Sequence, residues 1–118
     1  RGNSMRNGYF NIELSDLSYK NFNLPKKYSL GNNYPNPFNP NTNIQYSIPE
    51  DINVSVFIYN MLGEKIQTLI NNEYQKTGYK TIQWNTKNKK GRPISTGVYF
   101  YTIEAGSFNK TKKMVLIK

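Results

Sequence analysis

The side chains able to do chemistry are few, and their spacing argues against a reaction. The 118 residues hold no histidine and no cysteine. That removes the commonest general base, every Ser–His or Cys–His nucleophile, any disulfide framework and any thiolate metal site. Of the seven carboxylates, only Glu50 and Asp51 adjoin. Side chains on consecutive turn positions diverge, so the facing acid and nucleophile of glycoside hydrolysis are not assembled. The glycines follow no phosphate-cradling spacing, and the acidic loop that wraps calcium is missing. The expectation is a chain that is not an enzyme and needs neither metal nor cofactor.

Binding is the chemistry that remains. Sixteen Lys and Arg against seven acids give a formal charge of +9. Lys87, Lys89, Lys90 and Arg92 make a basic loop, and Lys110, Lys112, Lys113 and Lys118 a basic strand; either could meet an anionic surface. Nucleic acid would also need stacking aromatics on the same exposed face. Tyr99 and Tyr101 alternate with Phe100 in a pattern that favours core packing over stacking, so no nucleic-acid partner is expected. Because the cations are interspersed with Asn, Thr and Tyr, they also suit solvated strand edges and turns. Exposed tyrosines could instead bind sugar rings, which keeps open a carbohydrate-binding or adhesive module of a surface enzyme.

The elements that must position these residues are strands. Ten Tyr, six Phe and one Trp, with many Ile, Val and Thr, suit pleated, half-buried surfaces. Clean alternation predicts strands over residues 43–48 (Ile44, Tyr46 and Ile48 on one face) and 53–59, the latter apolar on both sides and therefore central. Residues 61–70 are ambiguous, since Leu62, Ile66, Leu69 and Ile70 fall at helical spacing. Gly63 and the β-branched Ile66, Thr68 and Ile70 favour a turn and a strand over 64–70, ending at Asn71 and Asn72. Further strands are expected from Gly78 to a core anchor at Trp84, over 97–104 and over 108–117, the last two joined by Ala105, Gly106 and Ser107 as a hairpin. Pro35, Pro37 and Pro40 make residues 34–40 a stiff, non-helical lead-in, with Tyr34 and Phe38 free to cap the core. Residues 1–29 read as the end of a preceding region plus a linker, with one weak strand face at Phe10, Ile12 and Leu14, and residues 30–118 as one domain. Six or seven short strands at about ten-residue spacing describe a β-sandwich. No apolar run approaches the ~18 residues that span a bilayer, so no transmembrane segment is expected. The first residue is Arg1, not Met, which suggests the C-terminal piece of a longer protein.

Four segments occur in order: LGNNYPNPFNPNTNIQYSIP, VSVFIYNMLGEKIQTL, GYKTIQWNTKNKKGRPISTGVYFYTIEAG and the closing TKKMVLIK. In this set and order, residues 30–118 resemble the type A C-terminal sorting domains of proteins exported by the type IX secretion system of Bacteroidetes and related bacteria. The resemblance implies an all-β, Ig-like sandwich of about seven antiparallel strands, which favours a strand over residues 61–70. It also implies a role as an address. The domain would direct an upstream passenger from the periplasm of a Gram-negative-type bacterium across the outer membrane, to be secreted or held at the cell surface. Implied partners are the outer-membrane translocon, its shuttle protein and a sortase-like peptidase. That peptidase would cut within residues 21–30 and join the passenger to anionic lipopolysaccharide. The positions matching the family's motifs are Gly97 and Tyr99 (G-x-Y), Lys113 and Val115 (K-x-V), and Pro35, Asn36 and Pro37 in the lead-in. A terminal strand at a sheet edge could be read by strand addition, with Lys112 and Lys113 guarding that edge. Equally, residues 114–117 could simply finish the core, and the two roles are compatible.

Overall fold

The structure, a computed structural model, describes residues 23–117. Within them the chain forms seven strands: β1 Ser29–Leu30, β2 Thr42–Ile48, β3 Ile52–Tyr59, β4 Lys65–Gln75, β5 Gly78–Trp84, β6 Gly97–Ala105 and β7 Phe108–Leu116. They pack as two antiparallel sheets, β1-β2-β5 and β4-β3-β6-β7. The side-chain period of two decides what lies between them. Ile44, Tyr46 and Ile48 of β2 are buried, as are Val54, Val56 and Ile58 of β3 and Tyr99, Tyr101 and Ile103 of β6. The expected central strand, β3, does lie between β4 and β6.

Trp84 closes one end of this core. Its ring is fully buried, lies 6.0 Å from Phe38 and 6.2 Å from Tyr99 between centroids, and its Nε1–H donates to the Lys87 carbonyl at 3.0 Å. A buried indole that keeps a partner for its one donor contributes area without an unpaired polar group. Phe38 caps the core as expected, but Tyr34 does not. The Tyr34 side chain is 78% exposed, and the residue is held by its backbone, which exchanges hydrogen bonds with Asn43 in both directions.

Residues 61–70 resolve as turn and strand. Gly63 sits at φ +83°, where glycine carries no steric cost, and the Asn60 carboxamide accepts the N–H groups of Leu62 and Glu64. The helical stripe dissolves, since Leu62 is exposed while Ile70 is buried. β4 does not stop at Asn71, however, but runs on to Gln75. The β3–β4 register shifts between Val54 and Val56, and opposite that shift Asn72 takes φ 49° with its N–H on Ser55 Oγ at 2.8 Å. Asparagine tolerates the left-handed region, so a pair that reads as a stop works as a bulge.

The sandwich's contacts begin just ahead of Leu30. β1 pairs with β2 through Ser29 and Ser47, Ser47 Oγ donates to the Lys27 carbonyl, and Tyr28 stacks on Phe108 at 5.2 Å. The weak strand face at Phe10, Ile12 and Leu14 lies outside the described residues, as does Lys118.

Two phenols titrate with the fold. Tyr101 O–H donates to the Gly31 carbonyl at 2.6 Å and Tyr46 O–H to Gln75 Oε1 at 2.7 Å. Burial pushes both above the ordinary 10.0. The native state therefore keeps these protons where the unfolded chain loses them, so their contribution is complete below the unfolded value and declines as pH rises through the native ones. With no histidine or cysteine, unfolding free energy from urea titrations should be level between about pH 6 and 9 and fall above pH 10.0; Tyr101→Phe should flatten that fall. Phe38→Ala should cost about 3–5 kcal/mol in the same titrations at neutral pH, because it opens a void beside Trp84.

Candidate recognition site

The last two strands form a hairpin whose register fixes the neighbourhood of the expected site residues. Gly97 pairs with Leu116, Val98 with Val115, Tyr99 with Met114 and Phe100 with Lys113. β7 ends the sheet order. Its alternation sends Met114 and Leu116 into the core, where both are buried, and leaves Lys113 and Val115 on the outer face. The hairpin's Gly106 is at φ +59°, and a Cβ there would stand 2.7 Å from Ile52 Cδ1.

The edge of β7 is not open along its whole length. Phe38 N–H donates to the Val115 carbonyl and Ile117 N–H to the Phe38 carbonyl, each at 3.0 Å. The Val115 N–H is taken by the side-chain oxygen of Asn36, also at 3.0 Å. Residues 36–38 thus lie along the end of β7 as a short parallel extension, and the Phe38 side chain plugs into the core beside it. Proline explains the division of labour. Pro35 and Pro37 have no N–H to offer a ladder, so the neighbouring Asn36 side chain and Phe38 backbone do the pairing. The three Xaa–Pro bonds of this segment are cis. Behind it, Thr42 Oγ1 donates to the Pro35 carbonyl at 2.9 Å and the buried Asn33 amide donates to Thr42 Oγ1 at 3.0 Å. Lys112 Nζ reaches Asn32 Oδ1 at 3.0 Å. Among the described residues, no strand pairs with the outer side of residues 109–113.

The structure therefore gathers the motif positions at one end of the sandwich, but presents them differently. Lys113 is exposed and Val115 half-buried, both facing outward. Pro35, Asn36 and Pro37 are exposed along the closed edge. Gly97 adopts φ +150°, a conformation side-chain-bearing residues rarely take, although a Cβ there would meet nothing within 4 Å; the constraint is conformational, not spatial. Tyr99 is only 7% exposed, with its hydroxyl on the Ser95 carbonyl at 2.7 Å. Neither it nor the fully buried Tyr101 can offer a ring to a sugar or base. Sequence reasoning missed the acceptor role of Asn36 and the outward aromatic residues Phe57, Tyr59 and Phe100. Their alternation was visible; which strands would stand side by side was not.

One protein-family profile, described as "Secretion system C-terminal sorting domain", matches residues 32–118. The chain belongs to this family. The sorting domain's fold is shared with several solved structures, two from Porphyromonas gingivalis among them. One is the dimeric latent PorU from Porphyromonas gingivalis, with a TM-score of 0.58 and 22% identity over 77% of this chain and 9% of that one. The other is PorZ, described as an essential bacterial surface component of the type-IX secretion system of Porphyromonas gingivalis, with a TM-score of 0.50 and 16% identity over 77% of this chain and 11% of that one. The likeness is one of fold, an Ig-like sandwich, and the chain spans about a tenth of each of those proteins' length. No curated protein matches it. A sorting domain of this family serves export to the cell surface or beyond.

Removing the Asn36 acceptor isolates the side-chain part of the edge closure. Asn36→Ala should cost about 1 kcal/mol and speed amide exchange at Val115 selectively, leaving Tyr101 unchanged, as hydrogen-exchange NMR would show.

Proposed function

We propose that this sorting domain is the export address of a type IX secretion substrate. It carries an upstream passenger from the periplasm across the outer membrane, performs no reaction itself, and is read by the translocon and its shuttle protein. The observation that carries the reading is the coincidence of two independent facts. The family match spans residues 32–118, and the two ends of that span are hydrogen-bonded to each other through residues 36–38 and 115–117. A segment near the start of the domain and its last strand form one structural unit, as an address read as a folded object requires.

The recognition residues then take distinct parts. Lys113 and Val115 present side chains to the reader, Gly97 and Tyr99 hold the neighbouring strand in register, and Pro35, Asn36 and Pro37 hold β7 in place. The passenger and linker occupy residues 1–29 and the domain residues 30–118. A sortase-like peptidase then removes the domain and joins the passenger to anionic lipopolysaccharide. That cut falls within residues 21–30. The sugar-binding alternative cannot use Tyr99 or Tyr101, which are buried, and would rest on the exposed Tyr34, Tyr74 and Tyr79.

Fusing the whole chain behind a periplasmic reporter in a type IX-competent bacterium tests this directly. The intact fusion should reach the surface or medium, and one lacking residues 114–118 should remain periplasmic. Equal display of the two would contradict the proposal.

A further inference from the structure

The outer face of the four-stranded sheet carries a pattern that neither the family match nor the motif positions assign. Reading across the strands at one level, Lys65 of β4 pairs with Tyr59 of β3, Tyr59 with Phe100 of β6, and Phe100 with Lys113 of β7. Tyr59, Phe100 and Lys113 point away from the core, because their neighbours Ile58, Tyr99, Tyr101 and Met114 are buried, and Lys65 is exposed beside them. The row is cation, aromatic, aromatic, cation, and with strands about 4.8 Å apart it spans about 14 Å. Lys65 Nζ also sits 3.7 Å over the Phe57 ring on the same face. Toward the end of the sheet the row continues into an apolar shelf. Val98 and Val115 pair there, and beside them the β3–β4 turn leaves Met61 and Leu62 70% and 84% exposed. Between that turn and Gly97, Val98 and Tyr99 runs a shallow groove.

We propose that this face is the surface by which the sorting domain is read, and that its occupant is a protein segment presenting apolar side chains bracketed by two carboxylates. The inference rests on the sorting function proposed above and deepens it by naming the surface and the chemistry of the reader. With residues 36–38 seated, the N–H and C=O of Val115 are both taken, so Val115 is read through its side chain, and the Lys113 side chain projects beside it. Those side chains lie on this face. Charge complementarity selects the occupant. A second copy of this chain, at +9, would bring lysine rows against lysine rows, a repulsive arrangement. A lipid surface would engage the exposed Met61 and Leu62 but leave the groove beside Val98 unfilled, whereas a partner's side chain fills it, the usual form of an interface anchor.

The test uses the whole chain as the reporter fusion. Lys65→Glu/Lys113→Glu should lower display by about tenfold or more, because it turns two attractive contacts into repulsive ones, while Lys65→Arg/Lys113→Arg keeps both charges and should stay within about twofold. Lys87→Glu/Lys90→Glu makes the same charge change in the basic loop and should also stay within that range. Met61→Ser/Leu62→Ser, at exposed turn positions where folding is unaffected, should reduce display comparably to the row reversal. Urea midpoints of the four variants establish that each is folded. If the row reversal or the turn variant, folded, displays like wild type while deletion of residues 114–118 abolishes display, this surface is wrong and the sorting function stands. If the deletion also displays normally, the sorting function itself fails. An equal loss from the loop variant would overturn the proposal in favour of bulk charge. Pelleting of the wild-type chain with phosphatidylglycerol vesicles, abolished by the row reversal, would overturn it in favour of a membrane.

Discussion

The backbone exchange between Phe38 and the end of β7 is the constraint on which the rest depends. An edge strand with free N–H and C=O groups invites pairing with any passing chain. Here the last residues of β7 are occupied by a segment almost eighty positions earlier in sequence. Phe38 secures that segment by burying its ring against Trp84, so hydrogen bonding and packing act on the same residue. Because Trp84 also touches Tyr99, the plug, the anchor and the strand facing β7 belong to one cluster. Loosening any member loosens the seat of the final strand.

This arrangement closes the far end of the β7 edge. The Val115 N–H and C=O and the Ile117 N–H are already paired, while the Lys113 and Val115 side chains stay on the outer face. Tyr99 contributes by being absent from that face. Its ring fixes β6 from inside, while Val98 and Phe100, its neighbours in sequence, look outward. Gly97 allows the start of β6 to take a backbone conformation that would strain other residues. Motif positions thus divide into exposed ones, such as Asn36 and Lys113, and buried ones, such as Tyr99, and only the structure separates them.

Much of the architecture was legible from alternation alone. The faces of β2, β3 and β6, the central place of β3 and the burial of Trp84 all follow from a period of two and residue size. Local chemistry defeated the reading at Asn71 and Asn72, where two strand breakers support a bulge because Ser55 satisfies the Asn72 N–H. Tyr34 and Phe38 were indistinguishable as caps, since both are aromatic and flanked by proline; the difference arises from which backbone pairs with Asn43 and which with Val115. The site was legible as residues and illegible as geometry. The row from Lys65 to Lys113 exists only once the registers of three strand pairs are known, and the register of distant strands leaves no local mark.

The central claim is that residues 36–38 are hydrogen-bonded along β7 in the native domain. Trans-hydrogen-bond scalar couplings in solution NMR report this without inference. The account predicts a coupling from the Phe38 amide nitrogen to the Val115 carbonyl carbon and another from the Ile117 amide nitrogen to the Phe38 carbonyl carbon. Absence of both, with the Ile117 amide exchanging as fast as in an unfolded peptide while β6 stays protected, would contradict it.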